Sequence, residues 1–258
     1  MIKSSSLILF FGLFFGTFTS IFSQNQYVSL SIQLIEAARY DKDYAPLLEK
    51  LANINQENLA TSLATDIEKK AFWINIYNAH IQCFLNEDPS LYDDRGAFFS
   101  TASVVVAGKK LSFDDIEHGI IRRSKNKFSL GFLPSFFVDD YEKKFRTKKA
   151  DGRVHFALNC GAKSCPAVAA YDDRYLENQL DESTRIHLQK TSKYDAVNEV
   201  VNVTSLFSWF RADFGSKKKI RQLLQKHEII PKGAKPSLNY NTYDWTILLD
   251  NYIDLKVQ

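Results

Sequence analysis

Two cysteines and a histidine lie close together in the stretch RVHFALNCGAKSCP, which covers residues 153–166. Cys160 follows an apolar run and precedes Gly161, a context that presents a side chain at a turn. A thiolate at Cys160 could act as a nucleophile, and the N–H groups of the turn could stabilise an oxyanion. The same cysteine could instead pair with Cys165, bind a metal or pack in the core.

A nucleophilic cysteine needs a base, and two histidines are candidates. His155 is nearest in the chain, but along a regular strand residues 155, 157 and 159 share one face and Cys160 takes the other. His118 is the second candidate and has Glu117 beside it. Adjacent residues of an α-helix diverge by about 100°, so Glu117 and His118 are not expected to form one dyad. The predicted catalytic residues are therefore Cys160, His118, His155 and Glu117.

Other chemistry is open at the same cysteine turn. A Cys160–Cys165 disulfide would close a short loop and contribute modestly to stability. A zinc site is disfavoured, because such sites have paired ligands at close spacing, and neither a metal nor a cofactor is predicted. A further alternative is that Cys160 packs in the core beside a buried polar network that fixes the fold.

The elements that must position these residues begin with a helix predicted over residues 65–85. It contains AFWINIYNAHIQCFL, which has no charged side chain, and this pattern predicts a buried central helix. Asn75, Asn78 and Gln82 form a narrow stripe on it. Because buried amides are costly when unpaired, the stripe must find partners. Asn75, Asn78 and Arg122 are predicted as binding residues.

The remaining elements are short. A hairpin is predicted over residues 104–111, and a capped helix is predicted to begin at Ser112, with Asp115 completing a capping box. Residues 153–159 are predicted as a strand. The three tryptophans are expected in the core. Many helices with a few short strands predict an α+β fold, a mainly helical single domain with a small sheet and a buried central helix.

The chain ends and the charge limit the function further. An apolar run after Lys3 predicts a signal peptide over residues 1–23, followed by a single domain over residues 24–258. We therefore expect export to the periplasm or the extracellular space, with no transmembrane span after signal cleavage. Lys and Arg number 33 against 30 Asp and Glu, a net charge of +3, which argues against nucleic acid as a partner. The expected ligand is a small molecule or a peptide.

Five separated segments resemble the motifs of one family, domain of unknown function 547, over roughly residues 44–249. They are AFWINIYNA (71–79), LSFDDIEHGIIR (111–122), RVHFALNCGAKSCP (153–166), LFSWFRADF (206–214) and YDWTILL (243–249). The resemblance implies that these residues occupy motif positions: Asn75, Tyr77, Asn78, Glu117, His118, Arg122, His155, Cys160 and Pro166. It implies no reaction.

Two classes of function follow from these patterns. The first is a cysteine-dependent hydrolase or acyl transferase that acts on a peptide or an amide. The alternative is a non-catalytic binding or interaction domain with a structural polar network and a Cys160–Cys165 disulfide. For both classes of function we expect the central helix, the helix of Glu117 and the cysteine turn to lie together. Polar groups that converge in an apolar interior are typical of a pocket.

Overall fold

A computed structural model describes residues 23–255, so the predicted signal peptide lies almost entirely outside the described residues. The helices are α1 (Gln26–Arg39), α2 (Ala45–Ala52), α3 (Gln56–Ser62), α4 (Asp66–Glu87), α5 (Arg95–Ser100), α6 (Asp140–Phe145), α7 (Leu176–Thr191), α8 (Leu206–Trp209), α9 (Arg211–Phe214) and α10 (Lys217–Lys226). A π-helix covers Asp115–Ile121. The strands are β1 (Val104–Val106), β2 (Lys109–Leu111), β3 (Lys193–Asp195), β4 (Val200–Val203) and β5 (Ser237–Tyr240).

The strands form two small sheets. Strands β1 and β2 pair as the predicted antiparallel hairpin. Strand β4 pairs antiparallel with β3 and parallel with β5. With so few and such short strands among the helices, the prediction of a mainly helical α+β fold is confirmed.

Helix α4 is the buried centre of the fold. Thr65 caps its first turn and forms a capping box with Glu68. Every residue from 69 to 83 is buried, and α4 packs against α1 on one side and the π-helix on another. A helix enclosed on all sides needs apolar residues around most of its circumference, which is why this stretch has so few charges.

The strand predicted over residues 153–159 is wrong. Residues Gly152–Phe156 form a 3₁₀ turn, and the chain after them is irregular. Asn78 of α4 takes the place of a neighbouring strand, because its Nδ2 donates to Ala157 O at 2.8 Å and its Oδ1 accepts from Asn159 N at 2.8 Å. The apolar composition of this run is typical of a buried strand. Its backbone groups, however, are satisfied by the Asn78 side chain and not by a neighbouring strand.

The helix predicted after Ser112 begins as expected but is not an α-helix. Ser112 Oγ accepts from Asp115 N at 3.0 Å, and Asp115 Oδ2 accepts from Ser112 N at 2.8 Å, which completes the capping box. The following turns have π-type bonds, such as Arg122 N to Glu117 O at 2.9 Å. A π-turn holds more residues than an α-turn, so successive side chains diverge less.

The C-terminal segment runs beside the cysteine turn. Lys163 N donates to Thr246 O and Leu248 N donates to Gly161 O, each at 2.8 Å. Tyr243 at the start of this segment packs against both a large apolar cluster around α4 and a smaller one around β4 and α8 to α10. The aromatic residues of the segment are thereby placed next to Cys160. In the part of the chain that the structure describes, no helix has the length and apolar character to cross a membrane.

Candidate functional site

A cavity of about 300 Å³ collects the four residues that were predicted as catalytic. Cys160, His118, His155 and Glu117 all line it, although they come from the cysteine turn, the π-helix and the 3₁₀ turn. The three predicted binding residues are nearby in the fold but are not part of its lining: Asn75, Asn78 and Arg122.

The walls of the cavity are aromatic. The rings of Trp209 and Trp245 are stacked, with centroids 5.7 Å apart, and the ring of Tyr243 lies 4.6 Å from that of Trp245. Phe210 and Phe99 extend this wall. The expectation that all three tryptophans are core residues is wrong for two of them, because Trp209 is half-buried and Trp245 is 38% exposed.

Glu117 also lines the cavity, and its carboxylate has only distant polar neighbours among the described residues. Its Oε2 accepts from Tyr77 Oη at 3.4 Å, and its Oε1 lies 3.7 Å from His118 Nδ1. Burial raises the pKa of Tyr77 well above its usual value, so that hydroxyl is a donor. Among residues 23–255, no lysine or arginine forms an ion pair with Glu117, whose side chain is only 15% exposed.

His118 is a hydrogen-bond donor at the cavity through its Nε2. Its Nδ1 lies 2.7 Å from Arg122 Nη1, and a guanidinium can only donate, so Nδ1 accepts and Nε2 carries the proton. That Nε2 lies 3.5 Å from Asp114 Oδ1. Burial, aided by the charge of Arg122, lowers the pKa of His118 to about 4, so the ring is neutral at neutral pH.

The expectation that Glu117 and His118 point apart therefore needs correction. The π-helix brings both side chains to the cavity, with the 3.7 Å separation of Glu117 Oε1 and His118 Nδ1. They still form no strong dyad, because the Nδ1 lone pair is directed at Arg122.

His155 is held by a buried ion pair that the sequence did not indicate. Asp213 Oδ2 lies 2.9 Å from His155 Nε2 and accepts from Arg122 Nε at 2.6 Å. Burial alone would raise the pKa of Asp213, but His155 and Arg122 hold it below its usual value. Burial lowers the pKa of His155, whose ring stacks on Phe210 at 3.7 Å. The one signal for Asp213 was its place in the segment LFSWFRADF.

Cys160 and Cys165 form a disulfide. Tyr243 Oη lies 3.4 Å from the sulfur of Cys160 and 3.1 Å from that of Cys165. A disulfide sulfur has no thiolate, so a cysteine nucleophile has no support in this form of the protein. Cys83 is free and buried on α4, and burial raises its pKa to about 12, which makes it unreactive.

The amide stripe of α4 clamps the main chain. Asn75 Nδ2 donates to Tyr171 O at 2.8 Å and its Oδ1 accepts from Tyr171 N at 2.9 Å. Asn78 binds Ala157 and Asn159 in the same two-bond manner. The stripe thus holds the segments on both sides of the cysteine turn. A role for Asn75, Asn78 or Arg122 in ligand binding stays a prediction.

The residues that the structure describes include no group of three or more His, Cys, Asp or Glu placed to hold a metal ion. The cavity itself offers three features: a carboxylate with no lysine or arginine ion pair within residues 23–255, a neutral imidazole that donates, and an aromatic wall.

Comparison with known proteins identifies a family. Residues 61–188 match the family model described as "Protein of unknown function, DUF547". This range contains α4, the π-helix and the cysteine turn, and it confirms the resemblance for the three motifs that lie within it. It ends before Asp213 and before the aromatic residues of the C-terminal segment. No curated protein and no solved structure matches the chain.

Proposed function

Residues 61–188 belong to the protein family DUF547, whose description assigns no function, and we propose a function from the cavity itself. The protein is a binding domain for a small organic molecule that carries a positively charged nitrogen, an amine or a quaternary ammonium. The observation that carries this proposal is the Glu117 carboxylate, which lies in the cavity with no cationic partner among the described residues.

The way in which charges pair at the cavity supports a cationic ligand. A carboxylate removed from water is costly unless a positive charge compensates it. The neighbouring His118 is neutral at neutral pH, and the other lining carboxylate, Asp114, is already paired with Lys127 at 2.5 Å. Two cations of the described chain also line the cavity: Lys127 is the partner of Asp114, and Arg95 is exposed, so solvent screens its charge. The charge that Glu117 lacks would come with the ligand.

The aromatic wall supports the same ligand. A cation over the face of a tryptophan or tyrosine gains roughly 0.5–2 kcal/mol, more as water is excluded. Arg95 already lies over the ring of Trp245 at 5.2 Å, so a ligand cation would replace this guanidinium or lie against Trp209 and Tyr243. A volume of about 300 Å³ suits a small molecule, at the lower end of the range for ligand pockets.

A fluorescence titration tests the proposal, because Trp209 and Trp245 line the cavity. The ligand is benzyltrimethylammonium, and the matched control is neopentylbenzene, which has the same shape without the charge. We expect the ammonium to change the tryptophan emission saturably and the neutral compound to bind at least about tenfold more weakly. Equal binding of the two compounds would refute a cation site.

A cysteine-dependent hydrolase or acyl transferase is the second candidate. The observation in its favour is that Cys160, His118, His155 and Glu117 line one cavity. It requires the reduced protein, because the disulfide occupies the Cys160 sulfur. Export to the periplasm or the extracellular space is part of our proposal, and the disulfide supports it, since disulfides persist in oxidising compartments.

Thiol labelling of the native protein separates the two candidates. Without reductant we expect no labelled cysteine, because Cys160 and Cys165 are bonded and Cys83 is buried. After mild reduction, Cys160 at the cavity should react first. Labelling of Cys160 before reduction would instead favour the enzyme.

A further inference from the structure

The loop of residues 128–137, which we name the phenylalanine loop, exposes an unusual set of apolar side chains. Its sequence, FSLGFLPSFF, contains no charged residue. Phe128 is 87% exposed, Phe136 81% and Phe137 93%, and Phe132 and Leu133 are more than half exposed. Single exposed apolar residues are ordinary, but a contiguous patch marks an interaction surface.

The phenylalanine loop is held in shape by its own backbone. Asn126 N donates to Leu133 O at 3.0 Å, and Ser135 N donates to Ser124 O at 2.6 Å. The loop is also fixed to the body of the protein, because Ala212 N donates to Leu130 O at 3.1 Å. With the backbone groups engaged inward, the apolar side chains are left to project from the loop. The loop backbone therefore needs no further ordering before a partner binds.

Two basic residues close before the phenylalanine loop have no ion-pair partner among the described residues. Within residues 23–255, neither Arg123 nor Lys125 forms an ion pair, and Arg123 is exposed. At the other end of the loop, Asp139 pairs with Lys109 at 2.8 Å and Asp140 pairs with Lys143 at 2.9 Å. In the chain that leads into the loop, the charges without an ion pair are therefore basic. Two carboxylates, Asp115 and Glu142, line a pocket with Phe128 and Phe137 and also form no ion pair within residues 23–255.

We propose that the phenylalanine loop inserts into the surface of a phospholipid bilayer that contains anionic headgroups. Phe128, Phe136 and Phe137 would enter the boundary of the acyl chains, while Arg123 and Lys125 would contact the headgroups. Apolar side chains next to basic residues are the combination that binds membrane interfaces. A protein groove is less well matched, since separate side chains projecting from a tight loop suit a fluid surface that closes around each of them. This inference does not depend on the ligand proposed for the cavity.

Depth-dependent quenching of an introduced tryptophan tests the insertion in the full chain. The variant is Phe136→Trp, and the matched control is Val197→Trp, at a position 91% exposed between β3 and β4. The vesicles contain phosphatidylcholine and phosphatidylglycerol with brominated acyl chains. We expect the brominated lipid to quench the fluorescence of the Phe136→Trp variant more than that of the wild-type chain. The Val197→Trp variant should show no quenching beyond that of the wild-type chain.

Two further variants in the Phe136→Trp chain test the contributions of apolar contact and charge. Phe128→Ser with Phe137→Ser should raise the lipid concentration for half-maximal quenching at least about tenfold. Arg123→Gln with Lys125→Gln should weaken quenching in vesicles containing phosphatidylglycerol and not in pure phosphatidylcholine. Unquenched Phe136→Trp would overturn the proposal. So would a serine variant that binds vesicles normally but loses self-association, because the loop would then contact a second copy of the chain.

Discussion

At the scale of single residues, what the cavity can do depends on which polar atoms are already engaged. Nitrogens of His118 and His155 are directed at Arg122, Asp114 and Asp213. Among the described residues, Glu117 has only the hydroxyl of Tyr77 at 3.4 Å and the neutral His118. Neither histidine is therefore free to act as a strong base. Glu117 is therefore the polar group of the cavity that is most available to bind a ligand.

The space beside the Arg122–Asp213 ion pair requires a glycine at position 131. Gly131 has φ +83°, and a Cβ there would lie 2.8 Å from both Arg122 Nη2 and Asp213 Oδ1. We expect Gly131→Ala to lower the free energy of unfolding by about 3 kcal/mol, because left-handed strain adds to the displacement of a buried ion pair. Urea denaturation measures this change.

Gly108→Ala is the matched control for that substitution. Gly108 has φ +75° and nothing within 4 Å of the added Cβ, so only the backbone strain of about 1–2 kcal/mol applies. If the two variants were equally destabilised, the buried pair beside Gly131 would not be the cause.

At the scale of elements, the site is held by side-chain clamps rather than by a sheet. Both carboxamide atoms of Asn78 bind the backbone of residues 157–159 at 2.8 Å. Asn78→Ala should cost about 3 kcal/mol of stability, because a buried N–H and a buried C=O lose their partners. Thermal or urea unfolding gives the value. Asn58→Ala on α3 is the control, since Asn58 is exposed and its loss should cost almost nothing.

The elements also show how far sequence patterns reach. The hairpin, the capping box at Ser112 and the buried α4 were predictable, because turn residues, cap spacing and missing charges act locally. The π-helix and the loop at residues 153–159 were not, because long-range partners decide them. Side chains of α4 satisfy the backbone of that loop, and hydrophobic periodicity does not report such bonds.

At the scale of the whole molecule, the cavity joins parts of the chain that are far apart in sequence. Patterns indicated Glu117, His118, His155 and Cys160 as polar groups that converge. They did not indicate Trp209, Tyr243 and Trp245 as the facing wall, because an aromatic residue in a cavity has the same composition signal as one in the core.

The whole molecule should lose stability in mild acid. Burial lowers the pKa values of His80, His118 and His187 to about 4, against about 6.5 in an unfolded chain. As the pH falls below about 6.5, the unfolded state takes up these protons first, so the free energy of unfolding decreases. Each histidine contributes at most about 1.4 kcal/mol per pH unit until the folded pKa is reached.

Urea denaturation between pH 7.5 and pH 4.5 checks this expectation. His80→Gln should flatten the pH dependence, because one titrating group with a lowered pKa is removed. A free energy of unfolding that stays constant over this range would contradict buried neutral histidines.

The most direct test of the account is the affinity for benzyltrimethylammonium after Glu117→Gln, measured by calorimetry beside Asp114→Asn. Both variants remove one carboxylate from the cavity lining, but only that of Glu117 lacks a lysine or arginine partner within the described chain. We expect Glu117→Gln to weaken binding at least about tenfold and Asp114→Asn to change it by less than about threefold. Equal effects of the two variants, or unchanged binding to Glu117→Gln, would contradict the proposal that Glu117 is the counter-charge of a cationic ligand.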